Sequence, residues 1–150
     1  MNLAHALRSL ALAFWFGGGL ATFFATSAVF ARAKDRKLSG DLAGAILART
    51  SDARSVTAFV FIGAGLLAVG DHAWWKPAVT ALCFACVLLQ GVAVVVDALT
   101  RRARRQAGGS LDALPPGDPR RRRFAALHGV AMLLLLLQVL AAGAGLLLSG

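Results

Sequence analysis

A chain of 150 residues that is 58% hydrophobic and only 15% charged is too apolar for an ordinary soluble domain, in which about 25% of residues are charged. Its length fits one compact unit and leaves no room for a soluble catalytic domain beside a membrane bundle. The formal net charge of +9 does not mark a nucleic-acid partner, because the basic residues are confined to short segments between long apolar runs, the pattern of topology signals and lipid-headgroup contacts.

All seven acidic residues are aspartates and tyrosine is absent; the Ala-, Leu-, Gly- and Arg-heavy usage resembles a GC-rich bacterial coding sequence. Taken in chain order, the first apolar run, Leu3 to Phe30, exceeds the length of about 20 residues that a membrane span needs. It is also longer than the apolar core of a signal peptide, and it carries Arg8 within it, so a retained helix is expected. In the segment that follows, Ser39-Gly40-Asp41 offers helix-start chemistry, and Leu42, Ala45, Ile46 and Ala53 recur at helical spacing. This predicts a short helix over 41–53 lying along the membrane interface. Arg49 falls on that same apolar face, which points to a phosphate or an acidic partner for it.

The second span is expected over about 55–73, where the apolar run Val56 to Gly70 is short by itself and is extended toward Trp74 and Trp75. Pro77 to Leu99 predicts the third span and Phe124 to Leu148 the fourth. Between these two, Gly108-Gly109, Pro115-Pro116-Gly117 and Pro119 predict an irregular loop. The expected fold is therefore an all-α membrane protein, four transmembrane helices in an antiparallel bundle with one short interfacial helix. Of the 16 basic residues, all but Arg8 and Lys76 lie in the segments 31–55 and 100–123. Basic residues in short loops stay cytoplasmic, so both termini are expected on the periplasmic side of a bacterial inner membrane.

Small residues suit close helix approach in lipid, where no hydrophobic force drives helices together. Gly17-Gly18-Gly19, Gly63, Gly65, Ala141, Gly143 and Gly145 are expected to pack in this way, with a hinge lining a path as the other reading. Gln90 and Gln138 fall near the middle of their helices, differ in depth by about 6 Å, and are expected to bond to each other or to backbone carbonyls freed near the glycines, with a polar path between them as the alternative that favours an exporter.

The run Trp15-Phe16-Gly17-Gly18-Gly19, then Val29-Phe30, then Gly40 to Ile46, and finally Arg123-Phe124-Ala125-Ala126-Leu127-His128, resembles the transmembrane protein 205-like family, whose bacterial branch is domain-of-unknown-function family 4149. The resemblance implies a four-helix membrane domain with no established activity in bacteria; animal members are associated with resistance to platinum drugs and with export through sulfur-bearing side chains. Ser27-Ala28 stands where that pattern has a proline, and Leu47 where it has a phenylalanine.

Candidate chemistry is sparse. Asp97 closes the third span and His128 opens the fourth, and ionisable residues within a membrane are functional candidates. Arg101 and Arg49 are the pairing candidates for Asp97; a helix-end salt bridge and an interfacial histidine are the plainer reading. Cys83 and Cys86 lie on one helix face, on the side of the membrane that holds His5 and His72. Two thiols and two imidazoles suit Cu(I), although buried cysteines also serve as apolar filler. His5 and His128 are at opposite ends, roughly 25–30 Å apart along the helix axes, and cannot share one haem iron or zinc. Haem or Cu(I) therefore stays a minor alternative, with no cofactor expected. Arg101, Arg102, Arg104, Arg105 and the run Arg120, Arg121, Arg122 and Arg123 are expected to meet anionic lipid headgroups. No Ser/His/Asp set, paired catalytic carboxylates or phosphate-cradling loop stands out. These features favour a structural, assembly or accessory membrane component, with a homo-oligomer or a membrane-protein partner. A small exporter acting as an oligomer is the first alternative and a haem- or metal-dependent redox protein the second.

Overall fold

The computed structural model describes residues 3–32, 36–68, 76–106, 114–115 and 117–149, with the side chains of Arg36 and Lys37 outside the description. Among the described residues it is all-helical: α1 (Leu3–Arg32), α2 (Arg36–Leu67), α3 (Pro77–Gln106) and α4 (Pro119–Ser149). α1, α3 and α4 are long and apolar enough to cross a membrane. Their outer surfaces are built from side chains that would be buried in a soluble protein, including Leu10, Phe24, Phe84, Leu88, Leu133 and Leu147. An apolar exterior around helices of this length is stable only in lipid. The protein is membrane-embedded.

Each helix turns one seam inward. On α1 the seam is Ala4, Arg8, Ala11, Leu12, Trp15, Gly19 and Thr22. On α3 it is Val79, Cys83, Cys86, Gln90, Val96 and Ala103, and on α4 Leu134, Leu135, Gln138, Val139, Ala142 and Gly145. The steps of three and four residues keep each set on one side of a 3.6-residue helix. Trp15 and Phe61, with ring centroids 5.6 Å apart, anchor the central cluster together with Leu12, Val79, Cys83 and Cys86. α1 packs on α2 and α4, and α3 packs on α4 and less extensively on α2.

α2 differs from its expected form. The residues read as an interfacial helix over 41–53 and the start of the span read over 55–73 are one unbroken helix of 32 residues. Its buried residues Ser39, Ala43, Ser51, Arg54, Ala58, Phe61, Ala64 and Ala68 form a single seam through the boundary that its charges suggested. Of the stripe read as membrane-facing, Leu42 and Ala45 are exposed, as is Arg49. Positions 69–73 of the expected second span lie outside the described residues. α3 and α4 extend past their apolar runs, to Gln106 and back to Pro119, because the flanking arginines continue the helices.

The start of α4 is a designed boundary inside a stretch expected to be irregular. The Asp118 amide donates to the Pro115 carbonyl at 3.0 Å, closing a turn around Gly117. Asp118 then caps the helix, its Oδ1 accepting from the Arg120 amide at 2.8 Å, and Pro119 occupies the first helical position, where no amide is needed. The Arg120 guanidinium also donates to both carboxylate oxygens, at 3.1 and 2.9 Å. These hydrogen bonds from Arg120 hold the Asp118 carboxyl below its ordinary value of 3.8, and the same contacts raise Arg120.

The glycines divide into two groups. A Cβ on Gly19 would lie 2.2 Å from Val139 Cγ2, and on Gly145 and Gly143 it would stand 3.0 Å from Leu12 and Phe16. These three set the close approach of α1 and α4. Gly17, Gly63 and Gly65 have open space where a side chain would go, and α1 runs straight through Gly17-Gly18-Gly19 without a break.

Gly19→Ala should therefore destabilise the protein by about 1–3 kcal/mol through overpacking against β-branched Val139, whereas Gly17→Ala should be neutral or gain up to about 1 kcal/mol of helix propensity. Unfolding of both variants in mixed micelles checks this; equal effects would remove the close-approach account. Because the native carboxyl of Asp118 is depressed, its contribution to α4 is complete above the ordinary carboxylate value and is lost as pH falls through the lower folded one. Hydrogen exchange at the amides of Arg120 to Arg122 should rise on acidification through that window, and Asp118→Ala should abolish the pH dependence.

Candidate functional site

Halfway along α2, two consecutive steps of the buried seam carry polar groups, Ser51 and Arg54. Arg54 is only 5% exposed, Gln90 2% and Gln138 0%. A guanidinium inside an apolar bundle requires hydrogen-bond acceptors, since an unpaired charge there costs several kcal/mol. Arg54 Nη1 donates to Gln138 Oε1 at 3.0 Å and Nε to the Thr50 carbonyl at 3.3 Å. Gln90 Nε2 donates to the Ser51 carbonyl at 3.1 Å and to Ser55 Oγ at 3.0 Å. One turn further along, Thr22 Oγ1 donates to Thr50 Oγ1 at 3.1 Å, tying α1 to the same level of α2. The result is a polar layer across all four helices.

The two glutamines were expected to bond to each other or to backbone carbonyls freed near the glycines; they do not bond to each other, and α2 supplies side-chain partners for both, with Gln90 reaching the Ser51 carbonyl. That arrangement leaves Gln90 Oε1 and Gln138 Nε2 buried without a hydrogen-bond partner among the described residues. Each such orphan costs about 1–3 kcal/mol.

Toward the basic helix ends the layer is the floor of a cavity of about 460 Å³. All four helices line it, with Thr26 and Phe30 from α1, residues between Gly40 and Arg54 on one side of α2, Ala93, Asp97 and Thr100 among others from α3, and Phe124, Met132 and Leu135 among others from α4. Asp97 and His128, remote in sequence, meet here as cavity-lining residues, together with Arg101 and Arg104. Asp97 lies within electrostatic reach of Arg54. Neither Arg49 nor Arg101 forms an ion pair with it among the described residues; Arg104 pairs with Asp41 at the cavity rim. His128 stacks loosely on Phe124, ring centroids 6.1 Å apart. The volume falls within the 300–1,000 Å³ range of small-molecule sites.

The remaining candidates are placed as follows. Arg49 is exposed on the outer face of α2, away from the cavity. Arg102, Arg105, Arg122 and Arg123 are exposed, whereas Arg120 is held by Asp118 and Arg121 Nη1 donates to the Leu114 carbonyl at 3.3 Å. Cys83 and Cys86 are free thiols buried in the central cluster, with Cys86 Sγ 3.9 Å from the Gln138 carbonyl. His5 is half-buried on α1, and His72 lies outside the described residues. Among the described residues no three His, Cys or Asp side chains group as metal ligands. A second cavity of about 420 Å³ lies on the other side of the polar layer, lined by Arg8, Phe61, Gly65, Thr80, Cys83 and Val87 among others.

Arg54 and Ser51 are the site residues that sequence reasoning passed over, because they sit at the junction between the helix read over 41–53 and the span read from 55, among the charges taken as topology signals. The signal that finds them is phase: Ser51, Arg54, Ala58 and Phe61 step by three and four, while Arg49 and Asp52 fall out of step. No family model matches the chain, and no curated protein or solved structure matches it.

Gln138→Leu removes the acceptor of a buried guanidinium and should cost about 1.5–3 kcal/mol. Gln90→Leu removes an amide that is itself half unsatisfied and should change stability by less than about 1 kcal/mol. Unfolding free energies measured in the same detergent check the order; a larger loss for Gln90→Leu would contradict it.

Proposed function

We propose that this chain is a four-span protein of a bacterial inner membrane, with both termini on the periplasmic side, acting as an accessory or structural membrane component rather than as an enzyme. Its working site in this reading is the cavity at the basic end of the bundle. α2 is the fourth span. At about 1.5 Å per residue its 32 residues extend for about 48 Å, more than the hydrocarbon core of roughly 30 Å. The contacts support an antiparallel order: Leu12 with Gly145 and Gly19 with Val139 between α1 and α4, and Asp41 with Arg104 and Ser51 with Gln90 between α2 and α3. Ser51, Arg54 and Ser55 of α2 face the interior, where Gln90 and Gln138 receive them, whereas Arg49 and Asp52 face out.

The observation that carries the reading is the polar layer, which makes the inner cavity a blind pocket. A blind pocket holds a ligand or a partner's side chain. Part of the segments that carry the family resemblance converge on it: Phe30, Gly40, Asp41, Ala43 to Ala45, Phe124 and His128 line the cavity. Membership of the transmembrane protein 205-like family belongs to the same proposal. A small exporter is the second reading, favoured by one observation, the second cavity beyond the layer with Cys83 and Thr80 in its wall. In that reading the layer is the gate between two vestibules.

Reporter fusions test the topology. A periplasm-dependent reporter should be active at Gly150 and silent within 107–113, and a cytoplasm-dependent one the reverse; cytoplasmic activity at Gly150 would overturn the orientation. Vesicles test the class. Reconstituted protein should leave a Cu(I) gradient as long-lived as in protein-free vesicles, and faster dissipation would replace the accessory reading with the exporter.

A further inference from the structure

We propose that the inner cavity binds an anionic group, a phosphate or a carboxylate carried on a partly apolar molecule, with Arg54 at its floor and Arg101 at its mouth. The inference rests on the cavity being the working site, and it adds the chemical class of what enters. Charge is the first reason. Three guanidinium groups line the cavity, Arg54, Arg101 and Arg104, against two carboxylates, Asp41 and Asp97. Arg104 is taken by Asp41. Asp97 influences Arg54 from a distance without forming an ion pair among the described residues, so the cavity keeps an excess of one positive charge.

The second reason is the geometry of Arg54. Its Nε and Nη1 are committed to Thr50 and Gln138, which fix the plane of the guanidinium. Nη2 makes no hydrogen bond with the described residues, and the side chain is part of the cavity wall. A guanidinium oriented by two neutral acceptors, in a side chain that lines a hollow, is arranged to receive an oxyanion. Neutral acceptors satisfy hydrogen bonds and leave the charge uncompensated. An anion in the cavity would compensate it where the surrounding dielectric is low and the attraction strong.

The third reason is the rest of the wall. Phe30, Leu47, Phe124, Met132 and Leu135 give the cavity an apolar side that a fully hydrated inorganic ion does not need. An amphiphilic anion would match both surfaces. A lipid headgroup with the root of its chains and a free organic anion share this chemistry.

The full chain in an uncharged maltoside detergent provides the test. Hexyl phosphate should raise its melting temperature saturably, and Arg54→Gln and Arg101→Gln should each weaken binding by tenfold or more. Arg32→Gln, which removes an exposed charge at the same end of the bundle, should leave it within twofold. Arg101 is exposed, so its variant keeps the test valid if Arg54→Gln does not fold. Two further arms identify the source. Inorganic phosphate binding as tightly as hexyl phosphate points to a free anion. Phosphatidylglycerol retained by the wild type, and lost from Arg101→Gln, after exchange out of nanodiscs points to a lipid. If neither phosphate, hexyl phosphate nor phosphatidylglycerol binds, or if Arg32→Gln weakens binding as much as Arg101→Gln, the anion site is overturned. Reporter fusions that still show four spans would then leave the proposed topology standing.

Discussion

A guanidinium inside an apolar helix bundle must be given acceptors by the protein itself, because lipid offers none. Arg54 imposes that condition here, and much of the architecture answers it. Gln138 supplies an acceptor from α4, and the Thr50 carbonyl supplies one from α2 itself. Gln90 binds the turn just before Arg54 through the Ser51 carbonyl and Ser55. α4 can reach Arg54 because it is itself held close to α1, where Gly19 and Gly145 remove the side chains that would keep the two apart. Packing by small residues and pairing by polar ones are therefore coupled. The glycines bring the backbones near enough for a short amide to span the gap.

The layer also divides the interior into regions of different chemistry. On one side, Trp15, Phe61 and the two cysteines form an apolar cluster that borders the second cavity. On the other, the helices leave a cavity in which Asp97, His128 and three arginines share a wall with aromatic and aliphatic side chains. The cysteines lie in the apolar region, Cys83 sharing the wall of the second cavity with Arg8. Their burial among apolar neighbours fits the filler reading of the pair, with Cys86 closing against the backbone of Gln138.

Three apolar helices, the basic ends and the close approach at Gly19, Gly143 and Gly145 were legible in the amino-acid sequence because each depends on local composition or on the helical period; Gly17, Gly63 and Gly65, expected to pack in the same way, face open space. The continuity of α2 was not. Its charged residues Arg49, Asp52 and Arg54 lie close in sequence, and hydropathy averages over them without regard to direction. Direction decides the matter: Arg49 and Asp52 face out and Arg54 faces in. The importance of Gln90 and Gln138 was readable from their depth, but their partners depend on the rotation of α2, which only packing fixes. Asp97 and His128 were readable as ionisable groups near helix ends, and their meeting in one cavity depends on how the four ends come together. The cap at Asp118 was written locally in Asp118-Pro119 and was hidden by the surrounding Pro- and Gly-rich stretch.

The link between Arg54 and Gln138 joins the second helix to the last, 84 positions apart. With α2 as a span, this has a consequence for biosynthesis. Helices enter the bilayer in the order in which the ribosome makes them, so α2 is made and delivered long before its acceptor exists. Until α4 arrives, Arg54 must keep water or headgroup phosphate for company by reaching toward the interface, as long basic side chains do. In that reading the second helix would complete its insertion only once the fourth has been synthesised, and a chain that stops short of Gln138 would hold Arg54 with one acceptor fewer.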